Sequence, residues 1–269
     1  MTEFPIHAGL RLAYDVEGDG PPLVLIGGLS ADRAFWSLAR PLLAGFTTLA
    51  FDHRDVGHSD RADGPYTAVD MAQDALAVMD AAGIGRAHVL GHSLGGVVAQ
   101  ELALLAPERV DRLVLACTFA RNDLYSRGVL ELLKRLRAEV GNPVTYIRAL
   151  ATFTLGRSFL EANALEAIAR QVVAAGPLQE VAAFHRQADA SLAADTLERL
   201  GAITAPTLVM GTPQDRIFAP AFARAIAAAI PGAVLVEGPD TGHCPMIEAP
   251  QAFVDVVTAF LHGAAAVPD

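Results

Sequence analysis

The stretch that decides the fold of this 269-residue chain is Val89-Leu90-Gly91-His92-Ser93-Leu94-Gly95-Gly96. It has the pattern of a short apolar strand, a serine between two glycines and the start of a helix, which is the G-x-S-x-G nucleophile elbow. Gly91 and Gly95 remove the Cβ atoms that would clash in this sharp turn. An ordinary helix after a glycine-containing loop is the alternative, and the apolar residues on both sides favour the elbow. We therefore expect Ser93 to be a nucleophile.

The composition narrows the class of protein. The chain is 52% hydrophobic and 19% charged, and its length fits one large α/β domain or a core with a small cap. The net charge of -10 argues against nucleic acid as a partner. No apolar run in the sequence is long enough to span a bilayer, so we expect no membrane partner. The oligomeric state is not predicted.

The N-terminus and the cysteines indicate the compartment. Met1-Thr2-Glu3-Phe4-Pro5 lacks a basic segment followed by an apolar stretch, so we expect no secretory signal peptide. Cys117 and Cys244 are far apart in the sequence and have no metal-ligand spacing. This favours reduced, packed thiols over a disulfide or a metal site. We expect a cytoplasmic protein that needs no metal.

The pattern of apolar residues divides the chain into three parts. Strands alternate with helices in residues 1–118 and 201–269, which predicts a core with a mostly parallel sheet. Residues 119–200 have no convincing strand and predict a helical cap over the sheet, although these helices could also simply complete the core. The predicted strands are 10–17, 23–26, 49–51, 89–90, 113–116, 206–211 and 233–237. The predicted helices are 69–79, 129–140, 143–154, 158–173, 178–190, 220–230 and 250–261.

A serine hydroxyl needs a base, and the base needs an acidic partner that fixes its tautomer. In this architecture the chain order is serine, then the acid, then histidine. Asp215 follows the strand at 206–211, and His243 lies in a glycine-bounded turn after the strand at 233–237. Asp123 and Asp240 are the alternative acids. We predict Asp215 as the acid and His243 as the base, because the other histidines lie in the wrong context or chain order.

An oxyanion hole requires two N–H donors. Leu94 follows the serine directly, so its amide is the first candidate. The second is Leu29, because the preceding Gly27-Gly28 lets the backbone pass close to a substrate. A plain glycine-rich turn is the alternative for this segment. The side chain of His92, inside the elbow, is expected to point away from Ser93.

These features together resemble the α/β-hydrolase family over nearly the whole chain. The segment from Phe51 to Asp60 is similar to the D-x-R-G-x-G-x-S loop of that family, and Pro107-Glu108-Arg109-Val110 is similar to the stretch after its nucleophile helix. The resemblance implies a sheet flanked by helices, with a helical cap and without a cofactor. It also implies a triad of Ser93, Asp215 and His243, with Leu29 and Leu94 as oxyanion donors.

Two departures from the family pattern stand out. Gly27 occupies the position where many members have histidine, so the support of the oxyanion loop is expected to differ. Asp55 replaces the usual glycine, which resembles methylesterase-like and enol-lactonase-like members. The serine nucleophile argues against the branches that use aspartate instead.

We expect a serine hydrolase that acts on a small carboxylic ester or lactone. The alternatives are a C–C bond hydrolase or an acyltransferase with the same triad, or a receptor-like member with little turnover. Arg121, Arg157 and Arg186 could bind a substrate carboxylate, but solvated surface positions are the expectation for all three.

Overall fold

The computed structural model describes residues 6–263, with side chains from His7 onward. Met1 to Pro5, on which the expected absence of a signal peptide depends, lies outside the described residues. No helix within residues 6–263 has both the length and the apolar character needed to cross a bilayer.

Within this range, seven strands form one sheet in the order β3-β5-β4-β6-β7-β8-β9, and β1 pairs only with β2. Only β3 runs antiparallel to its neighbour in the large sheet. The strands are β1 (Ile6–His7), β2 (Leu10–Arg11), β3 (Tyr14–Glu17), β4 (Pro22–Ile26), β5 (Thr47–Phe51), β6 (Ala87–His92), β7 (Val110–Ala116), β8 (Thr207–Gly211) and β9 (Val234–Glu237). The predicted fold class, a mostly parallel sheet flanked by helices, is confirmed.

The α-helices of the described chain are α1 (Ala68–Ala81), α2 (Leu94–Leu105), α3 (Leu124–Glu139), α4 (Pro143–Thr154), α5 (Arg157–Ala162), α6 (Leu165–Ala175), α7 (Val181–Ala193), α8 (Pro220–Ala229), α9 (Pro245–Glu248) and α10 (Pro250–Leu261). Short 3-10 helices cover Arg33–Trp36, Arg40–Leu43, Pro107–Arg109 and Leu197–Ala202.

The central strands are buried on both faces, as expected for a parallel sheet covered by helices. On β4, Val24 and Ile26 pack into the apolar layer that contains α1 and α2. Leu23 and Leu25 point to the other face and pack with α10. Because these strands run parallel, their carboxyl ends meet at one edge of the sheet, where loops can gather functional groups.

We call residues 119–200 the cap segment. It contains α3 to α7, and its two ends lie side by side, because Arg121 and Asp195 form an isolated antiparallel bridge. The division of the chain into a core and a cap stays a prediction. Phe184 of α7 belongs to the same apolar cluster as Phe119 and Phe218, which places an apolar surface of the segment next to the ends of β7 and β8.

Three predicted elements differ from the structure by more than small shifts at their ends. The strand predicted for 10–17 is interrupted between β2 and β3. The helix predicted for 129–140 begins earlier, because Asp123 accepts the N–H of Ser126 at 2.8 Å and caps α3. The helix predicted for 158–173 is two helices, because Asn163 is extended and its side-chain amide donates to the carbonyl of Phe159 at 2.8 Å, which ends α5.

Candidate active site

Ser93 lies between β6 and α2 in a left-handed conformation, with φ 56° and ψ -125°. The flanking glycines are required by contact. A Cβ on Gly91 would lie 2.4 Å from the carbonyl oxygen of Gly95, and one on Gly95 would lie 2.2 Å from that of Ile26. A non-glycine residue with positive φ is strained, and such strain concentrates at functional sites. The geometry is that of the predicted elbow.

The backbone of Ser93 is anchored to the end of β7. Its N–H donates to the carbonyl of Ala116 at 3.1 Å. The hydroxyl of Thr118 donates to the carbonyl of Ser93 at 2.5 Å, and a Cβ on Gly96 would collide with that hydroxyl at 2.4 Å. Thr118 thus fixes the elbow from the segment that follows β7, a role that the sequence did not reveal.

The structure brings Asp215 and His243 together. Nδ1 of His243 donates to Oδ2 of Asp215 at 2.8 Å, and both side chains are buried. The other carboxylate oxygen accepts the backbone N–H groups of Ile217 and Phe218 at 2.8 and 2.9 Å. These bonds fix the carboxylate and the tautomer of the imidazole. Within residues 7–263, Nε2 of His243 and Oγ of Ser93 have no hydrogen-bond partner.

The alternative acids lie elsewhere. Asp123 caps α3, and Asp240 is exposed and accepts a hydrogen bond from Gln214 at 2.8 Å. Neither carboxylate bonds to a histidine in the described part of the chain. Of the acids that we considered, Asp215 alone contacts His243.

His92 links the elbow to the loop that carries His243. Its Nε2 donates to the backbone carbonyl of His243 at 2.8 Å, and the two ring centroids lie 4.7 Å apart. Burial holds the pKa of His92 well below its ordinary value, so the ring is neutral. The sequence predicted only that this side chain points away from Ser93; the contact with His243 adds that it positions the loop.

The two predicted oxyanion donors are available. Among the described residues, neither the N–H of Leu29 nor that of Leu94 has an acceptor. Gly28 packs against the elbow so closely that a Cβ there would lie 2.9 Å from Cβ of Ser93. We call Gly27 to Ser30 the oxyanion loop.

His53 supports the first part of the oxyanion loop. It is fully buried, and its Nε2 donates to the carbonyl of Gly27 at 3.0 Å. Burial lowers the pKa of His53 to about 4, so the ring is neutral at ordinary pH. A histidine from the loop after β5 therefore contacts the loop at the position where many family members have a histidine of their own.

Asp55, the second departure from the family pattern, has a structural partner in the cap segment. Its backbone is left-handed, with φ 71°, and its side chain is fully buried. Oδ2 accepts from Nε of Arg186 at 2.9 Å, while Oδ1 accepts from the other arm of the guanidinium and from the N–H of Ala62. The expectation that Arg186 is a solvated surface residue is therefore wrong, because this ion pair joins α7 to the core.

The other two arginines match the expectation. Arg121 is exposed and pairs with Asp195 and Glu198, and the residue Arg157 is exposed beside Gln214.

The loop that carries His243 also contacts the cap segment. The N–H of His243 donates to the carbonyl of Thr154 at 2.7 Å. Oε2 of Glu248 accepts the N–H of Gly156 at 2.8 Å and that of Gly242 at 3.1 Å. Burial raises the pKa of Glu248 above its ordinary value. We define residues 238–244 as the histidine loop. The carboxylate of Glu248 thus links this loop to the residues that follow α4.

Cys117 and Cys244 are both free and buried. Burial raises the pKa of each thiol well above its ordinary value, so both stay protonated. The described residues contain no group of three or more side chains placed to hold a metal ion. Ser93, Asp215 and His243 follow β6, β8 and β9 at this same edge of the sheet.

The fold and the site define a class of protein, and comparison with known proteins agrees. A family model described as the alpha/beta hydrolase fold matches residues 21–250. The chain belongs to the α/β-hydrolase family.

Relatives within the family carry different names. The chain is 33% identical over 261 residues to the putative carbamate hydrolase RutD of Azorhizobium caulinodans, which covers 94% of this chain and 96% of that protein. A hydrolase from Pseudomonas aeruginosa PA01 has a similar structure, with a TM-score of 0.86, 32% identity and 98% of both chains covered. The enol-lactonase from Burkholderia xenovorans LB400 has a TM-score of 0.85 and 30% identity, over 95% of this chain and 98% of that one.

Proposed function

We propose that the protein is a serine hydrolase that cleaves a small carboxylic ester or lactone through an acyl-enzyme. The observation that carries the proposal is the 2.8 Å hydrogen bond between His243 and Asp215, in a loop fastened by His92 to the strained turn at Ser93. A buried carboxylate on Nδ1 leaves Nε2 as the basic nitrogen, which is the arrangement that activates a serine hydroxyl.

The reaction follows from these groups. Nε2 of His243 takes the proton of Ser93 as Oγ attacks the carbonyl carbon. The N–H groups of Leu29 and Leu94 stabilise the oxyanion of the tetrahedral intermediate. His243 then returns the proton to the leaving alkoxide, which departs from an ester or stays attached to the acyl chain of a lactone. Water, deprotonated by His243, releases the acid and regenerates Ser93.

These steps need no metal or organic cofactor. The surroundings favour a compact or apolar substrate, because Leu29, Phe119, Phe184 and Phe218 belong to one apolar cluster beside the site. The solved relative named an enol-lactonase supports the lactone within this substrate class. We further propose that the protein acts in the cytoplasm on a small molecule.

A carbamate is the second candidate substrate, favoured by the relative named as a putative carbamate hydrolase. The same attack of Ser93 on a carbamate carbonyl would break the bond to the alcohol, which leaves with a proton from His243, and the carbamoyl-enzyme would be hydrolysed by water to carbamic acid and free Ser93. The same three residues and the same two N–H donors would serve both substrates, so only the preferred carbonyl differs.

The test is a panel of p-nitrophenyl esters of increasing acyl length, simple lactones and a p-nitrophenyl carbamate, with the Ser93→Ala variant as the control. We expect hydrolysis of short esters or lactones by the wild type and loss of that activity in Ser93→Ala. Faster turnover of the carbamate would favour the second candidate. Absence of turnover with every ester, lactone and carbamate, or equal rates in the wild type and Ser93→Ala, would contradict the proposal.

A further inference from the structure

We propose that Gln187 of α7 is a positioning residue that holds the oxyanion loop in its working conformation, so that the cap segment is part of the catalytic apparatus. This inference rests on the proposed function, since it assumes that Leu29 donates to an oxyanion. Gln187 itself touches neither the nucleophile nor the base.

The contact that carries the inference joins Gln187 to Ser30. Oε1 of Gln187 accepts the N–H of Ser30 at 2.9 Å. Ser30 follows Leu29 directly and has a left-handed φ of 65°. Serine adopts this region only when its surroundings hold it there. The glutamine therefore restrains the peptide that follows the predicted oxyanion donor.

The loop is held at both ends by side chains from other parts of the chain. His53 binds the carbonyl of Gly27 at one end, and Gln187 binds the N–H of Ser30 at the other. Within the loop, the N–H of Ala31 donates to the carbonyl of Gly28 at 3.2 Å. The loop lacks the histidine that many family members have, and these two external contacts supply its support.

A buried polar network holds Gln187 in place. Nε2 of Gln179 donates to Oε1 of Gln187 at 3.1 Å and to the backbone carbonyl of Asp55 at 3.2 Å. Asp55 also pairs with Arg186, the residue that precedes Gln187 on α7. Asp55 therefore contacts both Gln179 and Arg186, and the network links it to the loop that contains Gly27.

The pattern of bonds points to positioning rather than packing. Gln187 is fully buried, and its Oε1 takes two donors. Its Nε2 has no partner in the described part of the chain. A buried amide with an unpaired donor is a costly way to fill space, because an apolar side chain of similar length would avoid the desolvation cost. The function of the side chain lies in its acceptor oxygen.

Three variants separate this role from a general effect on the cap segment. Gln187→Met removes the acceptor at nearly constant length, and Gln187→Glu keeps an acceptor oxygen. Lys134→Met is the matched control, because it breaks the ion pair between α3 and Asp189 of α7 without touching the oxyanion loop. Circular dichroism and thermal unfolding would verify that each variant is folded.

The readouts are kcat and KM for p-nitrophenyl butyrate and the inhibition constant of butyl trifluoromethyl ketone, whose adduct with serine carries an oxyanion. Loss of one oxyanion donor lowers kcat about 100-fold or more, and loosening its loop should give about tenfold. We expect this fall in Gln187→Met with KM within about twofold, and an equal rise in the inhibition constant. Gln187→Glu and Lys134→Met should stay within about 1.5-fold of wild type.

Unchanged kcat and inhibition constant in folded Gln187→Met, with an active wild type, would overturn the inference and leave the proposed function intact. If Gln187→Met does not fold, Gln179→Met replaces it, and a fall of about threefold in kcat is expected; no change in that folded variant would equally overturn the inference. A wild type that neither hydrolyses the ester nor reacts with a fluorophosphonate at Ser93 would instead contradict the proposed function itself.

Discussion

The oxyanion loop and the histidine loop both lie against the elbow and both contact the cap segment, but the chemistry of the two contacts differs. On the oxyanion side the contacts are made by side chains: Gln187 bonds to Ser30 of the loop, and Arg186, the preceding residue of α7, pairs with Asp55. The contact with the histidine loop includes a backbone bond from His243 to Thr154 and the close approach of Gly156 and Gly242, and the carboxylate of Glu248 accepts from both glycines.

This difference has a physical consequence. A backbone contact changes only when the chain itself moves, so substitutions on the histidine side should act mainly through folding. A side-chain contact can be removed by a single substitution, so the oxyanion side should respond in activity where Gln187 is changed and in stability where the ion pair is broken. One apparent exception is Asp215, whose side chain acts directly on the imidazole.

The largest effect is expected from Asp215→Asn. An asparagine amide would donate to Nδ1 and favour the wrong tautomer of His243, as in the corresponding change of a well-studied serine protease. We expect kcat to fall by about 10⁴-fold with little change in stability. Steady-state kinetics on the best ester would measure this fall. A loss below about tenfold would mean that Asp215 is not the partner of the base.

The next effect tests the ion pair on the oxyanion side. Arg186→Leu leaves the carboxylate of Asp55 buried without its cation, which should cost about 3 kcal/mol of unfolding free energy. The double variant Asp55→Gly/Arg186→Leu removes that carboxylate and places glycine at a left-handed position, so it should recover most of the loss. Urea unfolding would compare the variants. A double variant as unstable as the single one would show that the pair itself is needed.

His53, on the oxyanion side, makes the free energy of unfolding depend on pH. Its pKa is about 4 in the folded protein and near the ordinary 6.5 when unfolded, so the unfolded chain binds more protons between these values. The contribution of His53 to the free energy of unfolding is greatest above about pH 6.5 and decreases as the pH falls towards about 4. From about pH 7 to about pH 4.5 the contribution of His53 should fall by about 2.5 kcal/mol. Urea unfolding at both values should show a smaller loss in His53→Leu than in wild type; equal losses would refute this.

A smaller effect is expected on the histidine side. A Cβ on Gly156 would lie 2.7 Å from the backbone nitrogen of Gly242 and 2.9 Å from Oε2 of Glu248. We expect Gly156→Ala to cost about 2 kcal/mol, as overpacking does. Gly141→Ala is the control, because a Cβ there meets nothing within 4 Å. Similar unfolding free energies for the two variants would mean that the close contact of the glycines is not important.

The core of the fold could be predicted because its signals are local. The strands of the sheet appear as apolar runs, and the elbow appears as a serine between glycines that contact groups within a few residues or on the next strand. Asp215 and His243 could be found because both follow predicted strands in a fixed chain order. Their contact depends on parallel strands ending at one edge, which the alternation of strands and helices already implies.

The links between the cap segment and the site could not be predicted, because they depend on contacts between distant residues. Gln187 and Ser30 are separated by 157 positions, and Arg186 and Asp55 by 131. An arginine on an amphipathic helix looks solvated until the opposite surface is known. The sequence does not reveal the boundary between α5 and α6 for a different reason: the signal is one local bond, from the side chain of Asn163 to the carbonyl of Phe159.

The most direct test of the central claim is the mass of the intact protein after reaction with a fluorophosphonate, followed by mapping of the modified peptide. We predict one adduct per chain, located on Ser93, and no adduct in Ser93→Ala. Asp215→Asn should react much more slowly, because its histidine cannot act as the base. An unmodified wild type, or an adduct on another residue, would contradict the account.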